Sequence, residues 1–149
     1  MTAATNDRKQ IMRVLAHASE AELESGLAAA GLASELSDVR PPETGLTMVR
    51  GRIGGDGRPF NLGEMTITRA AVESPAGFTG VAYLKGRCPR RARLAATADA
   101  YWQDPETRAA IEAELLAAIE HRLADERLKA TEQADATKVD FFTMVRGED

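Results

Sequence analysis

Thr44-Gly45-Leu46-Thr47-Met48-Val49-Arg50-Gly51-Arg52-Ile53, then Gly54-Gly55-Asp56-Gly57, then Glu64-Met65-Thr66-Ile67-Thr68-Arg69-Ala70-Ala71-Val72 is the stretch that decides the fold. Its flanks are rich in β-branched and apolar residues that partly alternate, as strands do, and the glycine cluster between them reads as a turn. Ser74-Pro75-Ala76-Gly77 marks a second turn, and Phe78 to Leu84 reads as a further strand ended by Gly86. Strands joined by short turns pair antiparallel, because a parallel pair needs a long crossover. The middle of the chain is expected to form a small antiparallel β-sheet of about four strands, with room for a fifth.

The flanking segments carry the helical period. Ile11, Val14, Leu15 and Ala18 form an apolar stripe, and Ser19 with Glu22 three residues on is a capping-box pattern that restarts a helix. Leu23, Leu27 and Ala30 continue its inner face, and Gly31 is a stop. Past the strands, Pro89 suits a first helical turn, with Leu94, Ala98, Tyr101 and Trp102 on one face. Asp104-Pro105-Glu106 is a second start, with an N-cap, a proline at the first position and an acid near the positive end of the dipole. Ile111, Leu115, Ile119 and Leu123 repeat every four residues, but Leu128 breaks the register. The segment from Asp125 to Lys138 is thus helical by propensity yet weakly amphipathic, and is expected to project. The fold class is α+β: the sheet, an N-terminal helical pair and two C-terminal helices in one domain over residues 1–149.

At 149 residues, with 44% apolar and 28% charged side chains, the chain has the composition of a soluble globular domain. It shows neither a bilayer-spanning run nor a signal-peptide core, and one cysteine, Cys88, suits a reducing compartment, so a cytoplasmic location is expected. The net charge of −4 is uneven. Residues 40–93 hold ten basic and four acidic side chains, +6, which leaves −10 for the rest. A basic middle between acidic ends either neutralises within the fold or meets an anionic partner.

Chemistry-bearing motifs are sparse. His17 and His121 are far apart and make no zinc set, with His17 read as a helix-end residue and His121 as a solvated one. Cys88 lies among arginines without a partner histidine in view and reads as structural. Arg50, Arg52 and Arg58 around Gly54 and Gly55 are candidate anion contacts, since glycine amides and guanidinium groups hold phosphate together. The turn lacks the Gly-Lys-Ser/Thr of a phosphate-binding loop and the helix a dinucleotide fingerprint requires, and it lies between strands, unlike the GXXG of KH domains. A hairpin turn with solvated arginines is the simpler reading and is preferred. Nucleic-acid binding is disfavoured by the net charge and the lack of interleaved aromatics. At the far end, Val139, Phe141, Phe142, Met144 and Val145 place five apolar side chains in the last eleven residues. Termini are normally solvated, so residues 139–149 read as a docking tail, seated either on the chain's own core or on a partner, with Phe141, Phe142, Met144 and Val145 as candidate interface residues.

Several phrases together resemble the PhnG family of carbon–phosphorus lyase subunits. They are Glu43-Thr44-Gly45-Leu46, Arg52 through Phe60, Gly63-Glu64 with Thr66 through Val72, Gly80 to Arg87 with Tyr83 between, Val14-Leu15-Ala16-His17 and Val139 through Gly147. The likeness runs in order over nearly the whole chain and is weakest from Pro105 to Ala136. It implies a non-autonomous subunit working with PhnH, PhnI and PhnJ in a two-fold symmetric assembly, with two copies of this chain. It also implies a role in phosphonate catabolism, where a phosphonate displaces adenine from ATP before a radical step breaks the C–P bond. The resemblance places the ATP chemistry, the S-adenosylmethionine and the iron–sulfur cluster on the other subunits. It implies no cofactor, metal or catalytic residue for this one. The alternative is a phosphate- or nucleotide-binding protein that uses the basic turn at 50–58.

Overall fold

The computed structural model describes residues 3–54 and 56–136. Gly55 and the tail residues Phe141, Phe142, Met144 and Val145 lie outside the described residues. Elements run α1 (Ala3–His17), α2 (Glu20–Ala29), β1 (Ser37–Gly51), β2 (Phe60–Glu73), β3 (Thr79–Lys85), α3 (Pro89–Gln103), α4 (Pro105–Ile111), a five-residue π-helical stretch (Glu112–Leu116) and α5 (Ala117–Ala136). The expected α+β class holds.

The sheet has three antiparallel strands in the order β1-β2-β3, one fewer than expected. The first strand is longer than expected, since β1 begins at Ser37 rather than Thr44. Pro41 and Pro42 sit inside it, where the register shifts between Arg40 and Glu43. Proline has no N–H for the ladder and is tolerated there because β1 is an edge strand interrupted by a bulge.

One face of the sheet carries the core. Thr68, Ala70 and Val72 on β2 and Gly80, Ala82 and Leu84 on β3 are buried at alternate positions, as a half-covered sheet requires. Helix α3 lies over them. It buries Ala92, Ala95, Ala96, Ala98 and Ala100, whose short side chains bring the helix backbone close to the strands. The approach is closest at Gly80, where an added Cβ would lie 2.5 Å from the Ala100 nitrogen and nearer still to the Ala96 carbonyl oxygen. The exposed second face bears the Arg40–Glu43–Arg69 cluster, whose guanidinium groups, Arg40 first, hold the Glu43 carboxyl below its ordinary range.

Three polar contacts lock the helices to this layer. Asp99 on α3 is fully buried; its carboxylate accepts from Arg8 Nε and Nη2 on α1 at 3.0 and 2.7 Å and from the Val81 N–H at 2.9 Å. That last bond, with donation from Gln103 to the Thr79 carbonyl at 2.7 Å, closes part of the free edge of β3. Thr68 is buried between elements: its hydroxyl donates to the Gly86 carbonyl at 2.7 Å and accepts from the Cys88 N–H at 3.0 Å. At the α3–α4 corner, Trp102 donates to Glu112 at 2.9 Å while the Arg108 guanidinium stacks 4.5 Å over its ring.

The capping box forms as expected, with Ser19 and Glu22 satisfying each other's N-terminal groups. Gly31 follows α2 at φ +69°, a conformation natural to glycine at a helix stop. Asp104 caps α4 through the Glu106 N–H at 3.0 Å. The four-residue stripe of the last helix is buried at Ile111, Leu115 and Ile119, and the π-helical stretch adds Leu116. By widening the turn it turns two adjacent leucines inward, with Leu115 over Gly26 of α2. From Ala124 to Ala136 every residue of α5 is exposed, in agreement with a helix that projects from the body, by ~20 Å at 1.5 Å per residue.

Arg122 staples three elements. It meets Glu22 in two bonds of 2.5 and 3.1 Å, donates to the His17 carbonyl at 2.9 Å and reaches Glu126 at 2.8 Å. The Arg122 hydrogen bonds, aided by the Ser19 N–H and hydroxyl, lower the Glu22 pKa from 4.5 to about 2. A carboxylate with a depressed folded pKa contributes its full stability above the unfolded value and loses it as pH falls towards the folded one. Thermal stability is therefore expected to fall as pH drops from 4.5 towards 2. In Glu22→Gln the fall over that window should be shallower, with lower stability at neutral pH; parallel slopes in a calorimetric pH series would refute the assignment.

Candidate interaction surface

The β1–β2 hairpin outruns the rest of the fold. β3 pairs with Ile67 through Glu73 of β2 only, so Phe60–Thr66 and Leu46–Gly51 form a ribbon of two strands. A bulge at Leu62 interrupts it, between the pairs Val49–Gly63 and Arg50–Asn61; Leu62 packs over Gly51, where an added Cβ would lie 2.5 Å from its Cδ1. Such ribbons are marginal in water without a covering layer.

Its apolar side chains are uncovered. Leu46 is 63% exposed, Met48 50% and Ile53 78%, with Phe60 and Leu62 also exposed. The register shows why Leu46 and Met48 are unusual. Thr44 stands opposite Thr68, its hydroxyl 3.0 Å away, and Thr68 is buried on the core face. Leu46 opposite Thr66 and Met48 opposite Glu64 are the next two rows on that same face. The core side of the sheet thus continues along the arm, but α3 begins at Pro89, at the Thr68 row, and runs back over the sheet.

The charges divide in two. Arg90 pairs with Glu20 and Glu24, Arg93 with Asp38, and Arg40 and Arg69 with Glu43. Part of the basic middle is therefore neutralised within the fold, by acids that include those of the N-terminal helix pair. Arg50, Arg52 and Arg58 are exposed on the arm and have no ion pair among the described residues. Arg87, in the turn whose Gly86 N–H bonds to the Thr66 carbonyl at 2.9 Å, is likewise exposed and unpaired. The structure places Arg50, Arg52, Gly54 and Arg58 together at the free end of the arm; Gly55 lies outside the described residues.

The other sequence candidates fall elsewhere. His121 is solvated and faces Asp125 at 3.4 Å. His17 ends α1, its carbonyl taken by Arg122. Cys88 is the N-cap of α3, its Sγ 3.5 Å from Arg91 Nη2. Among the described residues no cluster of His, Cys, Asp and Glu has metal-site geometry, and no helix is long and apolar enough to cross a membrane. Sequence reading missed the exposure of Leu46 and Met48, because their alternation with Thr47 is the same whether or not a helix covers them.

A half-covered α+β domain with a projecting apolar and basic arm has the features of a protein built to join other chains. The chain belongs to the PhnG family: the family described as phosphonate metabolism protein PhnG matches residues 6–147. A relative from Rhizobium meliloti (strain 1021), the alpha-D-ribose 1-methylphosphonate 5-triphosphate synthase subunit PhnG, is 51% identical over 148 residues, 99% of this chain and 94% of the relative.

Proposed function

We propose that this chain is a subunit of a synthase that forms a ribose 1-phosphonate 5-triphosphate from ATP and an alkyl phosphonate, within the carbon–phosphorus lyase system. The observation that carries this reading is 51% identity, over almost the whole of both chains, to a protein named as a subunit of such a synthase. The exposed arm supports it, since apolar rows continuous with a core are what a subunit presents to its neighbours. The partners are PhnH, PhnI and PhnJ-type subunits in a cytoplasmic, two-fold symmetric assembly holding two copies of this chain. The ATP-dependent step and the radical step belong to those partners. This chain's contribution is to hold them in register through its arm and its apolar tail.

Co-expression with the three partner subunits, followed by native mass measurement, tests this. A complex containing two copies of this chain is expected; a free monomer beside a complete complex of the other three would overturn the proposal. Phe141→Ala with Phe142→Ala should remove this chain from the complex while its helical circular dichroism stays unchanged, because aromatic anchors dominate interfaces. Loss of helical signal would place the two rings in the chain's own core instead.

A further inference from the structure

Resting on the subunit reading, we infer that the core-side face of the β1–β2 arm is the seat of an amphipathic helix from a different subunit, one with an apolar stripe flanked by carboxylates. The occupant follows from three observations. As far as the Met48–Glu64 pair, short of the bulge, the face continues the one α3 covers, so the missing piece is a further stretch of helical layer on the same sheet. Its apolar row is Leu46 and Met48, two residues apart on β1, facing Thr66 and Glu64 on β2. Its borders are basic and unneutralised, with Arg50 one row beyond Met48 and Arg87 beside the Thr66 row. Arg40, Arg69, Arg90 and Arg93 are paired with this chain's own acids, whereas the arginines of the arm are not, which favours an acidic visitor.

A second copy of this chain fits less well. Two arms laid face to face bring Arg50, Arg52 and Arg58 of each against the same three of the other, with only Asp56 and Glu64 on each arm to offset them. Like charges crowded at an interface oppose association.

The test uses the full co-expressed assembly. A photo-crosslinking residue at Met48 should capture another subunit, at positions spaced three or four apart and interleaved with Asp or Glu. Capture of this chain's own copy, or of a strand or loop in the partner, would overturn the assignment. Leu46→Asp with Met48→Asp should weaken retention of this chain on the order of 100-fold, since it leaves two unpartnered charges in an apolar seat. Arg50→Glu with Arg87→Glu should weaken it more at low salt than at high, because it removes screened attractions. Exposed side chains are replaced in all three variants, so the free chain should keep its wild-type melting temperature. If the Asp variant is retained as tightly as wild type, the face is not the seat. If wild type itself never joins the assembly, the subunit reading fails instead, and the two failures are distinguished by that control.

Discussion

Gly80→Ala is expected to destabilise the domain by about 3 kcal/mol or more, the upper range of overpacking costs, and Gly80→Val to prevent stable folding. The reason is what the new methyl meets. At Gly80 it would stand 2.5 Å from the Ala100 nitrogen and 2.8 Å from the Ala100 Cβ, and closer still to the Ala96 carbonyl oxygen. Flexible side-chain ends can swing away from an intruder, whereas these are mostly backbone atoms in the middle of a 15-residue helix. Relief requires lifting α3 off β3, which would break the Asp99–Val81 bond and open the alanine layer. Gly45→Ala is the matched control. It lies on the same sheet with nothing within 4 Å of the added carbon, so its stability should stay within about 0.5 kcal/mol of wild type. Urea unfolding of the three chains side by side decides the matter; equal midpoints for Gly80→Ala and Gly45→Ala would show that the helix is not tightly seated.

Asp99→Ala should cost about 3 kcal/mol, the lower end of the range for breaking a buried pair, because Arg8 is one-third exposed and regains some hydration. The carboxylate itself is fully buried and receives four N–H donors, two from Arg8, one from Val81 and a longer one from Gln103 at 3.5 Å. Its removal leaves a strand N–H buried without an acceptor beside a guanidinium that has lost its counter-charge. Asp99→Asn keeps an acceptor and should cost less. Amide exchange at Val81 should rise most in the Ala variant. The cycle with Arg8→Met should show coupling, the double variant losing less than the sum of the singles. Additive losses would mean that Arg8 and Asp99 act on the fold independently.

Both residues show where sequence reading stops. Asp99 sits at an unremarked position on an alanine-rich helix, and its partner Arg8 is 91 residues away. No period or spacing signals such a pair. Arg122 and Glu22, 100 residues apart, are a second case. By contrast, the Ser19–Glu22 box, the Asp104-Pro105 start and the Gly31 stop were legible because each is completed within four residues of chain. The strand count came out one too high. The first strand runs back through Pro41 and Pro42 to Ser37 by way of a register shift, which an edge strand tolerates.

The same division holds for the candidate surface. Clustering of Arg50, Arg52 and Arg58 about a glycine turn follows from the sequence, because a hairpin keeps neighbours together. Which of the middle arginines are free does not, since the neutralising acids of Arg90 and Arg93 come from α2 and the start of β1.

The sequence by itself determined the α+β class, the antiparallel pairing, the starts of α2, α3 and α4, the stop after α2 and the family, since periodicity, capping and turn chemistry act over a few residues and recur in order along the chain. Only the tertiary structure decided that the core-side face of the sheet runs on past α3 and stays bare at Leu46 and Met48. Alternation states which face a side chain is on. Whether anything lies over that face depends on where a helix from elsewhere in the chain begins, and α3 begins at the Thr68 row, short of both, and runs away from them.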